Sequence, residues 1–338
     1  MKRFLILSFF GIAGLFAIWA NVSCTTSVPS TANFQNPLQT IVAINPTFTF
    51  TPTFTPTFTP TATGTPTPFV TQSPWTGFNN PQAVAVDNHL ANSGIFIADA
   101  NNNQVKKYNT NGTLDNAWGE GGKGKGKIAF QNPLSLAVDG SGNLYVVGGL
   151  SGVNKYNIAG DLINQFNAVT FSNPRGVAVD GSGLIYVSDQ ANNRIVQLDA
   201  NGNPGTGFGG AGAVTLSSPV TALYGIVVDP TNTFIYVAVR CNTTFSSLYG
   251  FTLGSGTPVT TITGFVSPNG IAFDQNQNLY VTDLGPARVE EFLAGQFVSP
   301  NLVYGSGNLS NPTGIAVDNS GNIYVADSAN NNVVVFLP

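Results

Sequence analysis

Charge is what this sequence has least of. Only 8% of its residues are Asp, Glu, Lys or Arg, and the net charge is −4. A chain so poor in cations offers no broad phosphate-binding surface, so nucleic acid is not an expected partner. Lys106, Lys107 and the loop of Lys123, Lys125 and Lys127 form the one basic cluster, which reads as a solvated loop. Histidine is scarcer still, with His89 alone. One histidine cannot build a multi-histidine zinc site, and His89 has no sequence-evident partner for acid–base work. Cysteine occurs twice, as Cys24 and Cys241. A catalytic thiolate needs a nearby base or cation, so neither is expected to act as a nucleophile.

Asn, Thr, Gly and Ser fill the chain instead, and they fall into a repeat. Asn173 to Leu198 reads NPRGVAVDGSGLIYVSDQANNRIVQL. Gly176 to Asp180 is short, small and apolar. Gly181-Ser182-Gly183 signals a tight turn, because glycine supplies positive φ without a steric penalty. Leu184 to Asp189 is β-branched and aromatic and predicts a strand. Gln190 to Asn193 is a second polar turn, and Arg194 to Leu198 alternates as a more exposed strand does. The first-strand segment returns with its aspartate at Asp87, Asp139, Asp180, Asp229, Asp274 and Asp318, at spacings of 52, 41, 49, 45 and 44 residues. A period in the forties with about four strands per unit is a propeller-blade signature.

These copies resemble NHL repeats, most clearly NPRGVAVDGSGLIYVSDQANNRIVQL and NPTGIAVDNSGNIYVADSANNNVVVF. The resemblance covers roughly Pro66 to Pro338 and implies an all-β, six-bladed β-propeller with four-stranded blades. It implies little about activity, because propellers host many unrelated functions. The last unit is one strand short: Gly314–Asp318, Asn322–Asp327 and Asn332–Leu337 reach the C-terminus with no fourth strand after them. The aromatic stretch Phe69 to Phe78 precedes the first full repeat and reads like the end of a unit. Residues from this stretch are therefore expected to supply the outermost strand of the last blade and close the ring, which protects edges an open array would expose.

The chain before the propeller divides in two. Residues 1–23 read as a signal sequence, with Lys2 and Arg3 followed by the apolar run Phe4 to Ala20. The segment resembles a bacterial lipoprotein signal with Cys24 as the lipidated residue, although Asn21 stands where an aliphatic residue is usual. Cleavage after Ala20 with release, or retention as an uncleaved anchor, remain alternatives; all three place the propeller outside the cytoplasm, in the cell envelope or secreted. Residues 24–68 form a Pro/Thr-rich linker, expected to be disordered or extended as a stalk, because its prolines remove backbone donors and no packed core forms. With Cys24 lipidated, Cys241 is expected to be a small packed thiol just after the strand Phe234 to Val239.

The repeated aspartates tempt a metal reading. An Asp at the same place in every blade more simply accepts backbone N–H bonds within a turn. Asp99, Asp189, Asp283 and Asp327 end the second strands of four blades, and Gly148 and Val239 replace them in the other two. Enzymes that share this architecture, among them lactonases and antibiotic-linearising lyases, use histidines or a Glu/Asn/Asp set at the channel. Here Glu120, Glu290 and Glu291 lie off the first strands. No catalytic residue and no cofactor are therefore expected; calcium held by backbone carbonyls needs no diagnostic side chain and stays open. The blades also differ from one another. The first carries an insertion from Asn88 to Ser93, and the fourth reads SSPVTALYG in place of the usual NPxG approach. The residue before the first-strand glycine or its equivalent varies most: Gln82, Leu134, Arg175, Tyr224, Asn269 and Thr313. In the NHL pattern these approach one face near the axis, where they are expected to bind a protein, peptide or glycan ligand, with Arg175 and Tyr224 foremost, or to line a hydrated channel. A propeller hydrolase or lyase with a channel-bound metal, and a ligand-free envelope protein, are the competing readings.

Overall fold

Each repeat turns back on itself at an aspartate. In the third unit, Asp180 Oδ1 accepts the backbone N–H groups of Ser182 (2.8 Å) and Leu184 (2.9 Å). Asp139 and Asp318 do the same for Ser141 and Asn143, and for Ser320 and Asn322. The carboxylate thus satisfies donors that a tight turn would otherwise leave open. Its second oxygen accepts the hydroxyl of the tyrosine in the next strand: Tyr145 to Asp139, Tyr186 to Asp180 and Tyr324 to Asp318, at 3.0, 3.2 and 3.0 Å. The recurring IYV of the sequence is therefore a buried ring tethered to the preceding turn.

The computed structural model describes residues 70–88, 94–119, 125–149, 152–216, 220–241 and 246–338. The expectations placed on the leader, on Cys24, on the Pro/Thr-rich tract, on His89 and on Glu120 and Lys123 lie outside those residues. The described residues form six four-stranded antiparallel sheets. Their first strands are Pro81–Val86, Pro133–Val138, Pro174–Val179, Val220–Val228, Pro268–Phe273 and Pro312–Val317. In every sheet the first strand is an edge, paired with the second strand alone. The six first strands lie beside one another around an axis, so the fold is a six-bladed β-propeller. Five of these strands begin at proline, earlier than the glycine expected to open the last one. An edge strand tolerates proline at its start because the missing N–H faces no partner.

The sixth blade is completed from the other end of the described chain. Val70–Thr71 pairs with Asn332–Leu337, and Trp75 exchanges backbone bonds of 2.9 Å with Val333 in both directions. The Trp75 ring stacks on Tyr108 of the first blade at 5.3 Å and meets Tyr324 of the sixth at 5.7 Å. The expected closure is present, and one aromatic side chain spans its seam.

The core is divided by seams. Six hydrophobic clusters occur, each joining neighbouring blades: first to second, second to third, and so on around to sixth with first. Alternation along each strand puts one face toward the blade before and the other toward the blade after, so most strands are apolar on both faces. Cys241 differs from expectation. The second strand of blade four runs through Arg240 to Cys241, and the sulfur is disulfide-bonded rather than a free thiol. The residue packs, partly buried, against the core between blades three and four at the end of its strand.

Candidate functional site

The mouth of the channel is built by a repeated irregularity. Asn80, Asn132 and Asn173 adopt positive φ of 56°, 47° and 55° just before the prolines. The pairing of first with second strand then shifts register between Pro81 and Ala83, Pro133 and Ser135, Pro174 and Gly176, Leu223 and Ile226, Pro268 and Ile271, and Pro312 and Ile315. All six residues singled out from the sequence sit inside these bulges. A bulged residue has no cross-strand partner and its side chain is re-aimed. The glycine beside it lets the next blade pass. An added Cβ at Gly176 would meet the Tyr224 carbonyl oxygen at 2.5 Å, at Gly270 that of Thr313 at 2.4 Å, and at Gly314 the Ala83 Cα at 2.4 Å. These glycines answer a close approach of backbones, not a turn.

Hydroxyls latch the blades at this level. Ser188 donates to the Tyr224 carbonyl (2.6 Å), and Thr282 donates to the Thr313 carbonyl (2.7 Å). Thr313 is buried, with its own hydroxyl donating to the carbonyls of Pro81 and Ala326. Two of the six mouth carbonyls thus already accept hydroxyl protons. These bonds tie neighbouring blades together at the rim of the channel. Among the described residues no three of His, Cys, Asp and Glu come together as a metal ion would need.

Four of the six expected residues converge. Gln82, Leu134, Arg175 and Asn269 line a cavity of about 60 Å³, with the backbone of Gly225, Gly270 and Gly314. Tyr224 and Thr313 do not line it. Thr313 is locked in the seam, and the Tyr224 ring lies under the Arg240 guanidinium, whose carbon is 4.2 Å from the ring centroid. Gln82 donates to Asn80 (2.7 Å), and Arg175 Nε donates to Gln190 (3.1 Å), so both polar side chains are tethered but not buried. Below the mouth, Val84, Leu136, Val177, Ile226, Ile271 and Ile315 form an aliphatic waist. Beyond it a second chamber of about 210 Å³ opens, bounded by Val86, Val138, Val179, Val228, Phe273 and Val317. A third cavity, about 310 Å³, lies off the axis beside Gly149, Phe166 and Phe171. It adjoins the blade whose second strand ends at Gly148 rather than Asp.

The second-strand aspartates act away from the axis. Asp189 accepts the N–H of Ser172 (2.7 Å), and Asp283 those of Val266 and Ser267 (2.9 and 2.6 Å). Each holds down the loop that enters its own blade. Where blade four has Val239 instead, Arg240 follows and crosses to Tyr224. Sequence reasoning passed over Arg240; the departure from Asp at position 239 was the signal that marked this blade as different.

Comparison with known proteins agrees with this architecture. The chain carries NHL repeats in a six-bladed β-propeller: the NHL-repeat family model matches residues 171–198 and 309–336, in the third and sixth blades. No curated protein matches the sequence. Among solved structures, the chain is similar to a gluconolactonase from Xanthomonas campestris, at 13% identity and a TM-score of 0.57 over 78% of this chain and 87% of that one. It is also similar to the PQQ-bound aldose sugar dehydrogenase from Streptomyces coelicolor, at 13% identity and 0.58 over 79% and 97%. Virginiamycin B lyase from Staphylococcus aureus aligns at 12% identity and 0.51 over 75% and 80%. Neighbours this distant in sequence share the fold, and their three different activities show how little the fold decides.

Proposed function

We propose that this propeller is an exported, non-catalytic binding module that presents the mouth of its channel to a partner. One observation carries the reading: every turn aspartate whose bonds are resolved is engaged with backbone or amide donors, whereas the variable residues Gln82, Leu134, Arg175 and Asn269 converge on one opening. Rigid backbone with variable side chains at a concavity suits recognition. The cavity is far smaller than the roughly 300–1,000 Å³ of a drug-sized site, so it receives a protruding group from a larger partner rather than a whole small ligand. Export rests on the basic and apolar leader.

The test is capture from native envelope extract on the purified exported chain, with Arg175→Ala alongside. A partner held by the wild type and released by the variant is the expected result. Turnover of a lactone or ester that tracks Arg175 would replace the binding reading with an enzymatic one.

A further inference from the structure

Four arginines lie among the described residues, and they divide into two kinds. Arg194 pairs with Asp189 at 2.8 Å, and Arg288 pairs with Glu290. Arg175 and Arg240 have no carboxylate partner among the described residues; Arg175 donates to the Gln190 amide oxygen, and Arg240 lies over the Tyr224 ring. They stand on neighbouring blades, and only Arg175 lines the mouth. The Tyr224 carbonyl oxygen stands against Gly176, the residue after Arg175, and the Tyr224 ring carries Arg240. The Arg240 Nε is buried with no hydrogen-bond acceptor. A buried donor of a charged group without an acceptor is costly and rare, and it marks a place where an acceptor is missing.

The surroundings do not supply one. In four blades the second strand ends in Asp, at positions 99, 189, 283 and 327, but in blade four that place is Val239. The flanking segments 217–219 and 242–245 contain no acidic residue. Arg175 and Arg240 thus bring two cations without carboxylate partners to this side of a chain that is net negative. The axial opening, which Arg175 lines and Arg240 does not, measures about 60 Å³. A group as small as the carboxylate of a short side chain fits such an opening from outside.

We propose that the axial mouth of the channel, on the side of Arg175, is an anion site that takes the carboxylate of an acidic side chain from a peptide or protein partner. Arg175 makes the charged contact, Gln82 and Asn269 offer amides across the opening, and Arg240 fixes Tyr224 and adds positive potential. This assignment rests on the binding-module reading and names the chemistry of its ligand.

The experiment uses the purified exported chain and blocked tripeptides, Gly-Asp-Gly and Gly-Asn-Gly, with glucuronate as the sugar-acid comparison. Backbone amide shifts of Gly225, Gly270 and Gly314 report the opening. The Asp peptide is expected to shift them with an affinity about tenfold better than the Asn peptide, the worth of one charge-assisted hydrogen bond. Arg175→Gln removes the difference and Arg240→Gln reduces it. Arg175→Glu turns the preference toward Gly-Lys-Gly. Thermal midpoints separate lost binding from lost fold; if Arg240→Gln unfolds the blade, Arg175→Gln decides alone. Equal responses to Asp and Asn peptides, an unchanged response in Arg175→Gln, or a stronger response to glucuronate would each overturn the proposal. A partner captured through Arg175 that the Asp peptide fails to displace leaves the binding module standing and removes only its acidic ligand.

Discussion

Asp139 shows at the scale of one residue how the repeated acids work. Burial alone would raise its pKa, but the Asn143 amide, the backbone of Asn143 and Ser141, and the Tyr145 hydroxyl together hold it below its ordinary 3.8. Asp99 follows the same logic: burial is outweighed by the Asn79 N–H and by Asn102, Gln104 and Lys106. A carboxylate depressed in the fold stabilises above its unfolded pKa and loses that contribution as pH falls through the folded value. Glu290 has the opposite sign, since burial outweighs Arg288 and raises its pKa; its cost at neutral pH is relieved on acidification. The expected outcome is a urea midpoint that holds near neutrality and falls as pH drops below 3.8. Asp139→Asn should lose about 1–2 kcal/mol at pH 7 and show a flatter acid limb. Parallel pH profiles for variant and wild type would contradict this account.

At the scale of the element, the informative strand is the shortest. Val70–Thr71 and the Trp75 bridge complete a sheet whose other strands come from the far end of the chain. Without them, Asn332–Leu337 would offer an unpaired edge of alternating backbone donors and acceptors. Trp75 also fills the seam with Tyr108 and Tyr324. Trp75→Ala is expected to cost about 3–5 kcal/mol in chemical denaturation. It should also produce aggregation that rises with protein concentration. Full stability in that variant would mean the ring closes without its aromatic clasp.

For the whole molecule, the open matter is how the chain meets its surroundings. Lipid attachment would occupy the Cys24 sulfur as a thioether, and a disulfide to Cys241 would occupy the same sulfur, so the two exclude each other. Intact mass separates them. An acyl increment with an alkylatable Cys241 marks the anchored form. A gain of two hydrogens on reduction, with no acyl mass, marks the unlipidated form, and whether its mass begins at Asn21 or includes the leader separates release from an uncleaved anchor. A leader still present in the mature chain, found in the cytosolic fraction, would overturn export altogether.

Much of this was legible before any coordinates. Six aspartates at a spacing in the forties, the Gly-rich turns between apolar strands and the missing final strand together specify six blades and their closure, because turn chemistry and strand period are local properties. The six bulge positions were legible too, since Pro, Gly or both flank each of them, but only four of the six residues line the mouth. What each side chain does there was not. Thr313 became a seam latch and Tyr224 a platform for Arg240, because those roles depend on which backbone passes beside them from the next blade. Cys241 and the unpaired Arg240 belong to the same category. Periodicity determined the propeller, and contacts between residues tens of positions apart decided which faces of it remain free to bind.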